Sequence, residues 1–563
     1  MRIHRGLAGF VLILGSALAL FIVQGASAQP SEVGGPQLTG EVVDFQGQPV
    51  VDALVELRTG DDVLISGRTQ EDGSFSLHLS NDVHGDLTLV VERHHFHTVT
   101  LDIPVDDLNR LAAEQALVVA TIELERKITP AFWIATLAFI GMLLLIALEK
   151  LHNTLAALTG ITIVLGVSYL LAPFLPNTYI FDFLGALRYI DWNVIFLIMG
   201  MMIVIAVVEG TGLFQWLAFF AYRVSRGKSW LLMAILMLIT SIASAFLDNV
   251  TTMLLMTPIT IQIAIALELN PLTLLVPEVM ASNVGGITTL VGTPTNIMIG
   301  SYAGISFAGF LKNLTPGVFF SLLGLFVYCL VIYRKELVSA TEGISPVLYE
   351  KLEENARITE PDNLRKAGWV GLGMLLLFLF GERFHLLPAV TAILGATALL
   401  VWIRPDVEEM IEAVDWTTLV FFMALFIVVG AIQEVGLISF IAQWVAGLVG
   451  KSLPLAMLAV IWAGALFSTV IANIPFTAAM LPVVGYLTRT VPGAGNLALF
   501  FCLSVGSAMG GNGSLIGASA NMVAAGISER VGYPITYRYF LIKGMPALFI
   551  TVILAMGWLF IRF

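Results

Sequence analysis

The sequence predicts a polytopic all-α membrane protein: two inverted repeats with re-entrant hairpins and broken helices, preceded by a small extracytoplasmic β-sandwich. Three observations lead there. Of the 563 residues, 58% are hydrophobic and only 12% charged, where a soluble domain carries about 25% charged residues. Long apolar runs recur from residue 132 onward, each of a length that can cross a bilayer. Finally, one set of polar, Gly and Pro positions occurs twice. Asp191-Trp192, Asn249 and Pro258 return as Asp415-Trp416, Asn473 and Pro482, each 224 positions later. Gly285-Gly286, Gly292 and Asn296 return as Gly510-Gly511, Gly517 and Asn521, each 225 later.

Residues 1–28 read as a signal peptide: Arg2 and Arg5, an apolar run from Leu7 to Val23, then Gly25-Ala-Ser-Ala28. A retained first transmembrane helix is the alternative. Both deliver the next segment outside the cytoplasm, so residues 29–130 are expected to be extracytoplasmic. Residues 36–126 are charged and alternate polar with apolar. Glu41–Asp44, Ala53–Leu57, Ser74–His78 and Leu87–Val91 are predicted strands, with turns at Gln46-Gly47, Gly60-Asp61 and Asp72-Gly73. This stretch, through Gly40-Glu-Val-Val-Asp44, Gly47-Gln-Pro-Val50 and Thr69 to Phe75, resembles the carboxypeptidase-regulatory-like β-sandwich. That resemblance implies a non-catalytic module. His94, His95 and His97 have no carboxylate or Cys at ligand spacing and are expected on a solvated strand or loop.

The first repeat is assigned to residues 130–333, a cytoplasmic connector to 334–366 and the second repeat to 367–563. If each polar-tipped pair of helices is a re-entrant hairpin, each copy crosses five times and the second is upside down. Charge agrees: Arg223, Arg226 and Lys228, expected inside, correspond to Lys451 alone outside. With no large basic patch, nucleic acid is not expected as a partner. Expected partners are a small ion and the lipid bilayer, with the protein integral to the plasma (inner) membrane.

Two interruptions per copy carry the chemistry. The hairpin tips are Asp248-Asn249 with Thr251 and Thr252, and Asn473 with Thr477. The broken helices run from Asn283 through Gly292-Thr293-Pro294 to Asn296, and from Gly510 through Asn512, Ser514 and Ser519 to Asn521. Gly and Pro free backbone groups that need partners where water is scarce, so such breaks line cavities. Amide, hydroxyl and carbonyl oxygens are hard ligands suited to Na⁺, making Asp248, Asn249, Thr251, Asn473 and Thr477 candidate Na⁺ ligands. Helix N-termini beyond the breaks suit an anion, so Asn283, Gly292, Thr293, Pro294, Asn296, Asn512, Ser514, Ser519 and Asn521 are candidate substrate-binding residues. Asp248, whose counterpart is Ala472, reads as a Na⁺ ligand, a proton carrier or a structural acid capping its hairpin. Glu209 and Glu278 read first as solvated or structural. The Asn pairs could instead serve interhelical hydrogen bonding.

Phe246 to Pro258 (FLDNVTTMLLMTP), and Glu278 through Asn283-Val-Gly-Gly286 to Asn296, resemble the ion transporter superfamily. The nearest branch holds the melanosomal P protein, arsenite permeases and NhaD-type antiporters; divalent anion–sodium symporters are relatives. The resemblance covers roughly residues 130–563. It implies Na⁺ sites at Asn249 and Asn473, elevator-like transport and a homodimer. Departures are Asp248 where the symporters have Ser, Thr293 where P proteins show Asp, and Ala472-Asn473-Ile474-Pro475 in place of Ser-Asn-Thr. The expected function is alternating-access transport of a small inorganic or organic anion coupled to Na⁺ or H⁺. No other cofactor is expected. The alternatives are a Na⁺/H⁺ antiporter using Asp248 and, from a different class, a membrane sensor with an extracytoplasmic ligand-binding domain. No enzyme motif such as His-Glu-x-x-His or Gly-x-Ser-x-Gly occurs.

Overall fold

A computed structural model describes residues 37–44, 47–60, 62–79, 87–104, 116–148, 150–338 and 346–563. The expected signal segment lies outside these. The chain divides into two compact units between Lys127 and Ile128.

In the first unit, period-2 alternation places Leu38 and Val42, Val55 and Leu57, Phe75 and Leu77, and Leu87, Leu89 and Val91 in one apolar core. These residues belong to β1 (Gln37–Asp44), β2 (Leu54–Thr59), β4 (Ser74–His78) and β5 (Leu87–Glu92). The remaining strands are β3 (Asp62–Arg68), β6 (Val99–Ile103), β7 (Ala116–Val118) and β8 (Ile122–Leu124). One sheet runs β4-β1-β7 with β8 also on β1; the other runs β3-β2-β5-β6. The predicted strands did not include β3 and β6, which contribute no fully buried side chain, or the three-residue β7 and β8.

The second unit is helical. Its first copy comprises α1 (Pro130–Ala147), α2 (Asn153–Gly166), α3 (Phe183–Arg188), α4 (Trp192–Glu209), α5 (Leu213–Ser225), α6 (Ser229–Phe246), α7 (Asn249–Ala266), α8 (Leu272–Gly286), α9 (Pro294–Ala303) and α10 (Phe307–Ile332). The connector carries α11 (Arg334–Val338) and α12 (Pro346–Asn355). It is not featureless: Tyr349 packs on Phe219 and Tyr222, and Thr359 bonds the carbonyls of Gly210 and Thr211. The second copy comprises α13 (Pro361–Phe380), α14 (Pro388–Ile403), α15 (Val407–Glu412), α16 (Trp416–Glu434), α17 (Leu437–Val449), α18 (Leu453–Val470), α19 (Asn473–Thr490), α20 (Ala498–Gly510), α21 (Ser519–Arg530) and α22 (Tyr537–Arg562). Among the described residues, ten helices are long and apolar enough to cross a membrane.

The duplication extends to the caps. Asp182 and Asp406 open α3 and α15, and Asp191 and Asp415 open α4 and α16; each carboxylate accepts backbone N–H groups of the first turn. Gly212 and Gly436, at φ 79° and 93°, start α5 and α17 from the left-handed region. Packing exchanges equivalent helices between copies. α4 lies on α14 while α16 lies on α2; α7 lies on α21 while α19 lies on α9; α10 and α22 pack on each other. This reciprocal pattern is that of a pseudo-two-fold axis relating inverted repeats.

Within each copy the broken helix lies along the first hairpin arm, α8 on α6 and α20 on α18. Glycine makes that approach possible. A Cβ at Gly285 would stand 2.4 Å from the Ser241 carbonyl oxygen, and one at Gly510 would stand 2.7 Å from that of Ala465, the equivalent residue. Gly285→Ala is therefore expected to lower stability by about 1–3 kcal/mol through overpacking, read as a fall in apparent melting temperature in detergent. Gly368→Ala, on an open helix face, serves as the control and should change little.

Candidate functional site

Asp248 caps α7: its Oδ1 accepts the N–H groups of Val250 and Thr251 at 2.9 Å, and its Oδ2 accepts the Thr251 hydroxyl at 2.5 Å. The carboxylate is half-buried and serves the turn in which it sits. The second hairpin has no such acid. Ala472 precedes α19 with no capping side chain, leaving the start of that helix without a side-chain acceptor.

Beyond the tips a carboxamide network crosses between copies. Asn249, 5% exposed, donates to Asn283 Oδ1 at 3.0 Å. Asn283 donates in turn to Asn512 Oδ1 and to Asn521 Oδ1, both at 3.0 Å. Asn512 returns a bond to the Met280 carbonyl at 3.4 Å. Asn283 thus uses its acceptor and both donors. Its equivalent is Ala508, so the second copy has no such hub. The Asn473 carboxamide correspondingly makes no hydrogen bond among the described residues, although Asn473 is 6% exposed.

Each break is closed by its own asparagine. Asn296 Nδ2 donates to the carbonyls of Ile287 (3.0 Å) and Thr289 (2.8 Å). Asn521 Nδ2 donates to those of Gly511 (2.7 Å) and Ser514 (2.9 Å). Thr289 and Ser514 occupy equivalent positions. Their hydroxyls donate to the equivalent carbonyls of Ala245 and Thr469. Ser244 and Ser468 likewise donate to the carbonyls of Ser282 and Ser507 at 3.0 and 2.6 Å. The Oδ1 of Asn296 accepts Ser504 of the other copy at 2.6 Å, as that of Asn521 accepts Asn283. Both asparagines therefore spend their polar atoms on backbone and on the opposite copy.

Thr293 caps α9, accepting the Asn296 N–H at 3.3 Å, with Pro294 at the first helical position. α21 begins after Ala518 with no side-chain cap, and the hydroxyl of the half-buried Ser519 makes no hydrogen bond among the described residues. Gly292 is where the first break touches the hairpin: a Cβ there would lie 2.5 Å from the Ser244 carbonyl. Thr477 bonds back to the Asn473 carbonyl at 2.8 Å. No Lys or Arg takes part in this network. A separate cavity of about 320 Å³, bounded by Asn193, Ser301 and His385 among others, is lined by none of these residues.

Glu209 ends α4 and is exposed. Glu278 is fully buried on α8 and accepts the Thr240 hydroxyl on Oε1 at 2.7 Å, while its Oε2 has no partner. The sequence ranks it as a weaker candidate, first solvated or structural. The signal lay in the repeat, where its equivalent is Leu503.

Apolar helices around paired intramembrane breaks, joined by buried carboxamides, define an integral membrane transporter of the ion transporter superfamily. Comparison with known proteins narrows this. Residues 143–499 match the family described as CitMHS, citrate transporter, and the chain belongs to that family. An uncharacterized transporter of Mycobacterium bovis is 35% identical over 431 residues, covering 76% of this chain and 98% of the relative. The P protein of Homo sapiens is 34% identical over 507 residues, covering 76% of this chain and 59% of the P protein. Among solved structures, the YdaH transporter of Alcanivorax borkumensis aligns at a TM-score of 0.48 and 13% identity, covering 76% of this chain and 98% of that one.

Asn283→Ala would strand Asn249 and two acceptors in a dry interior, each such loss costing about 1–3 kcal/mol. A clear drop in thermal stability is expected. Asn473→Ala removes no hydrogen bond and should stay within about 0.5 kcal/mol of wild type, measured by the same melting assay.

Proposed function

We propose that the chain moves a small anion of the carboxylate class to which citrate belongs, coupled to Na⁺ or H⁺, by alternating access. The observation that carries this reading is the buried Asn249–Asn283–Asn512/Asn521 chain, which joins the two copies where their helices are broken. Its neutrality has a consequence. With no basic side chain in the network, an anion's charge must be offset by helix N-termini and by cations travelling with it. Asp248, Asn249 and Thr251 of the first tip, with Asn473 and Thr477 of the second, supply oxygens for the cations. The anion is assigned to the breaks, between Asn283, Gly292–Asn296, Asn512, Ser514 and Ser519–Asn521. The uncapped starts of α19 and α21 offer N–H groups for it.

Na⁺/H⁺ exchange is the second reading, favoured by Asp248, an acid placed at one tip only. The protein is assigned to the plasma membrane as a homodimer, with residues 29–130 outside the cytoplasm.

Proteoliposomes loaded under an imposed Na⁺ or pH gradient test these readings with labelled citrate and a panel of other carboxylates and oxyanions. Gradient-dependent anion uptake is expected, with Asn473→Ala reducing it by about tenfold or more while the protein stays folded. Luminal pH changes driven by Na⁺ with no anion present would instead establish exchange. Uptake by Asn473→Ala at the wild-type rate would remove that residue from the site.

A further inference from the structure

Threonine hydroxyls inside membrane helices ordinarily bond back to the carbonyl four residues earlier, as Thr136, Thr252, Thr469, Thr477 and Thr551 do here. Thr257 and Thr260 on α7 do not. Both are fully buried, and neither hydroxyl has a hydrogen-bond partner. They lie one turn apart on the same face of α7. The Thr260 hydroxyl faces the Glu278 carboxyl closely enough for a weak hydrogen-bonding contact, but not in the geometry of a formed hydrogen bond. Glu278 itself is 0% exposed, held on one side by Thr240 of α6 with its Oε2 unpartnered. Pro277 precedes it in α8 and lacks the N–H that would bind the Thr273 carbonyl. Two buried hydroxyls on α7 and one buried carboxyl oxygen on α8, the helix packed against it, lack partners, a costly arrangement unless something positive sits among them.

The duplication supplies an internal control. The positions equivalent to Thr240, Thr257, Thr260 and Glu278 are Gly464, Leu481, Val484 and Leu503. The latter three are buried, so the second copy packs the same junction with apolar groups alone. The fold therefore does not require the acid or the hydroxyls. All four polar groups are present together in one copy and absent together in the other.

We propose that Glu278, Thr240, Thr257 and Thr260 form a monovalent cation site in the first copy, separate from the hairpin tips. This rests on the cation-coupled reading above and deepens it. The shared chemistry is neutralisation of a buried carboxylate: by Na⁺ held between carboxylate and hydroxyl oxygens, or by H⁺ on the carboxylate itself. No competing charge lies on α6 or α7. The other helices packed on α8 carry Lys312, Tyr328 and Cys329 (α10), Cys502 (α20), Glu529 and Arg530 (α21), and Tyr537, Arg538, Tyr539, Lys543 and Arg562 (α22). None of these bonds to Glu278 or forms an ion pair with it.

The test uses the full chain, purified and reconstituted, as wild type, Glu278→Gln and the double variant Thr257→Val with Thr260→Val. The double variant copies the apolar character of the second copy and keeps the acid, so it guards against misfolding of Glu278→Gln. Thermal stability is read against NaCl, with choline chloride as control, at several pH values. Anion uptake is read against pH. If the site takes Na⁺, Na⁺ raises the melting temperature of wild type. Both variants then need about tenfold or more Na⁺ for the same rise. If it takes H⁺, Glu278→Gln leaves the Na⁺ response of the wild type unchanged, the wild-type uptake rate depends on pH, and Glu278→Gln abolishes that dependence. Wild-type Na⁺ and pH responses in a transporting Glu278→Gln protein would overturn the site and leave the transport reading intact. A wild type indifferent to both Na⁺ and pH would overturn the site as well. Failure of wild type to carry any anion under any cation gradient would instead sink the transport reading.

Discussion

A helix broken at membrane depth exposes carbonyl groups that hydrocarbon cannot satisfy, and the rest of this membrane unit is arranged around that constraint. The breaks after α8 and α20 are each closed by one asparagine side chain reaching back to two carbonyls, Asn296 in the first copy and Asn521 in the second. The glycines at 285 and 510 let each broken helix lie against its hairpin arm closely enough for Ser244 and Ser468 to bond across. A larger side chain at either glycine would push the arms apart and open both sets of bonds. The repeated residues are thus explained first by backbone accounting, and a binding role is built on top of it.

The exchange of partners between copies gives the arrangement its mechanical character. Each second hairpin arm rests on the other copy's half-helix, α7 on α21 and α19 on α9. Side-chain bonds between copies at the breaks are few: Asn283 to Asn512 and Asn521, Asn512 to Met280, and Ser504 to Asn296. At the breaks themselves the polar contacts between copies are therefore neutral hydrogen bonds, each worth about 1 kcal/mol net, while apolar helix packing carries the rest of the junction.

Much of this was legible in the residues. The 224- and 225-residue offsets located the hairpin tips and the breaks, because Gly, Pro and Asn are conspicuous in apolar surroundings. The same offset relates Asp182 to Asp406 and Gly212 to Gly436, pairs that went unread because each lies in a short loop with little apolar contrast. β3 escaped because its half-exposed run Asp62–Arg68 ends in Ser-Gly-Arg, and β6 although Val99-Thr-Leu-Asp-Ile103 does alternate. The pegging role of Asn296 and Asn521 was not legible either. Which carbonyl a carboxamide meets depends on how far the broken chain folds back, and composition carries no record of that. Glu278 was visible but undervalued, since a lone acid in a helix is ordinarily paired or solvated and its three threonines arrive from α6 and α7.

The differences between the copies are as informative as the likenesses. Where the first copy has Asp248, Asn283 and Glu278, the second has Ala472, Ala508 and Leu503. Asp248 takes up the free N–H groups at the start of α7, and the carboxylates leave the first copy with a surplus of negative charge and acceptors. The second copy starts α19 and α21 with no side-chain cap, leaving backbone N–H donors there, and the Asn473 and Ser519 side chains make no hydrogen bond among the described residues. On the proposed reading, a cation and an anion held in the same low-dielectric interior each lower the cost of burying the other, and that mutual neutralisation is the physical basis on which their movement would be coupled, with no need for contact between the two ligands.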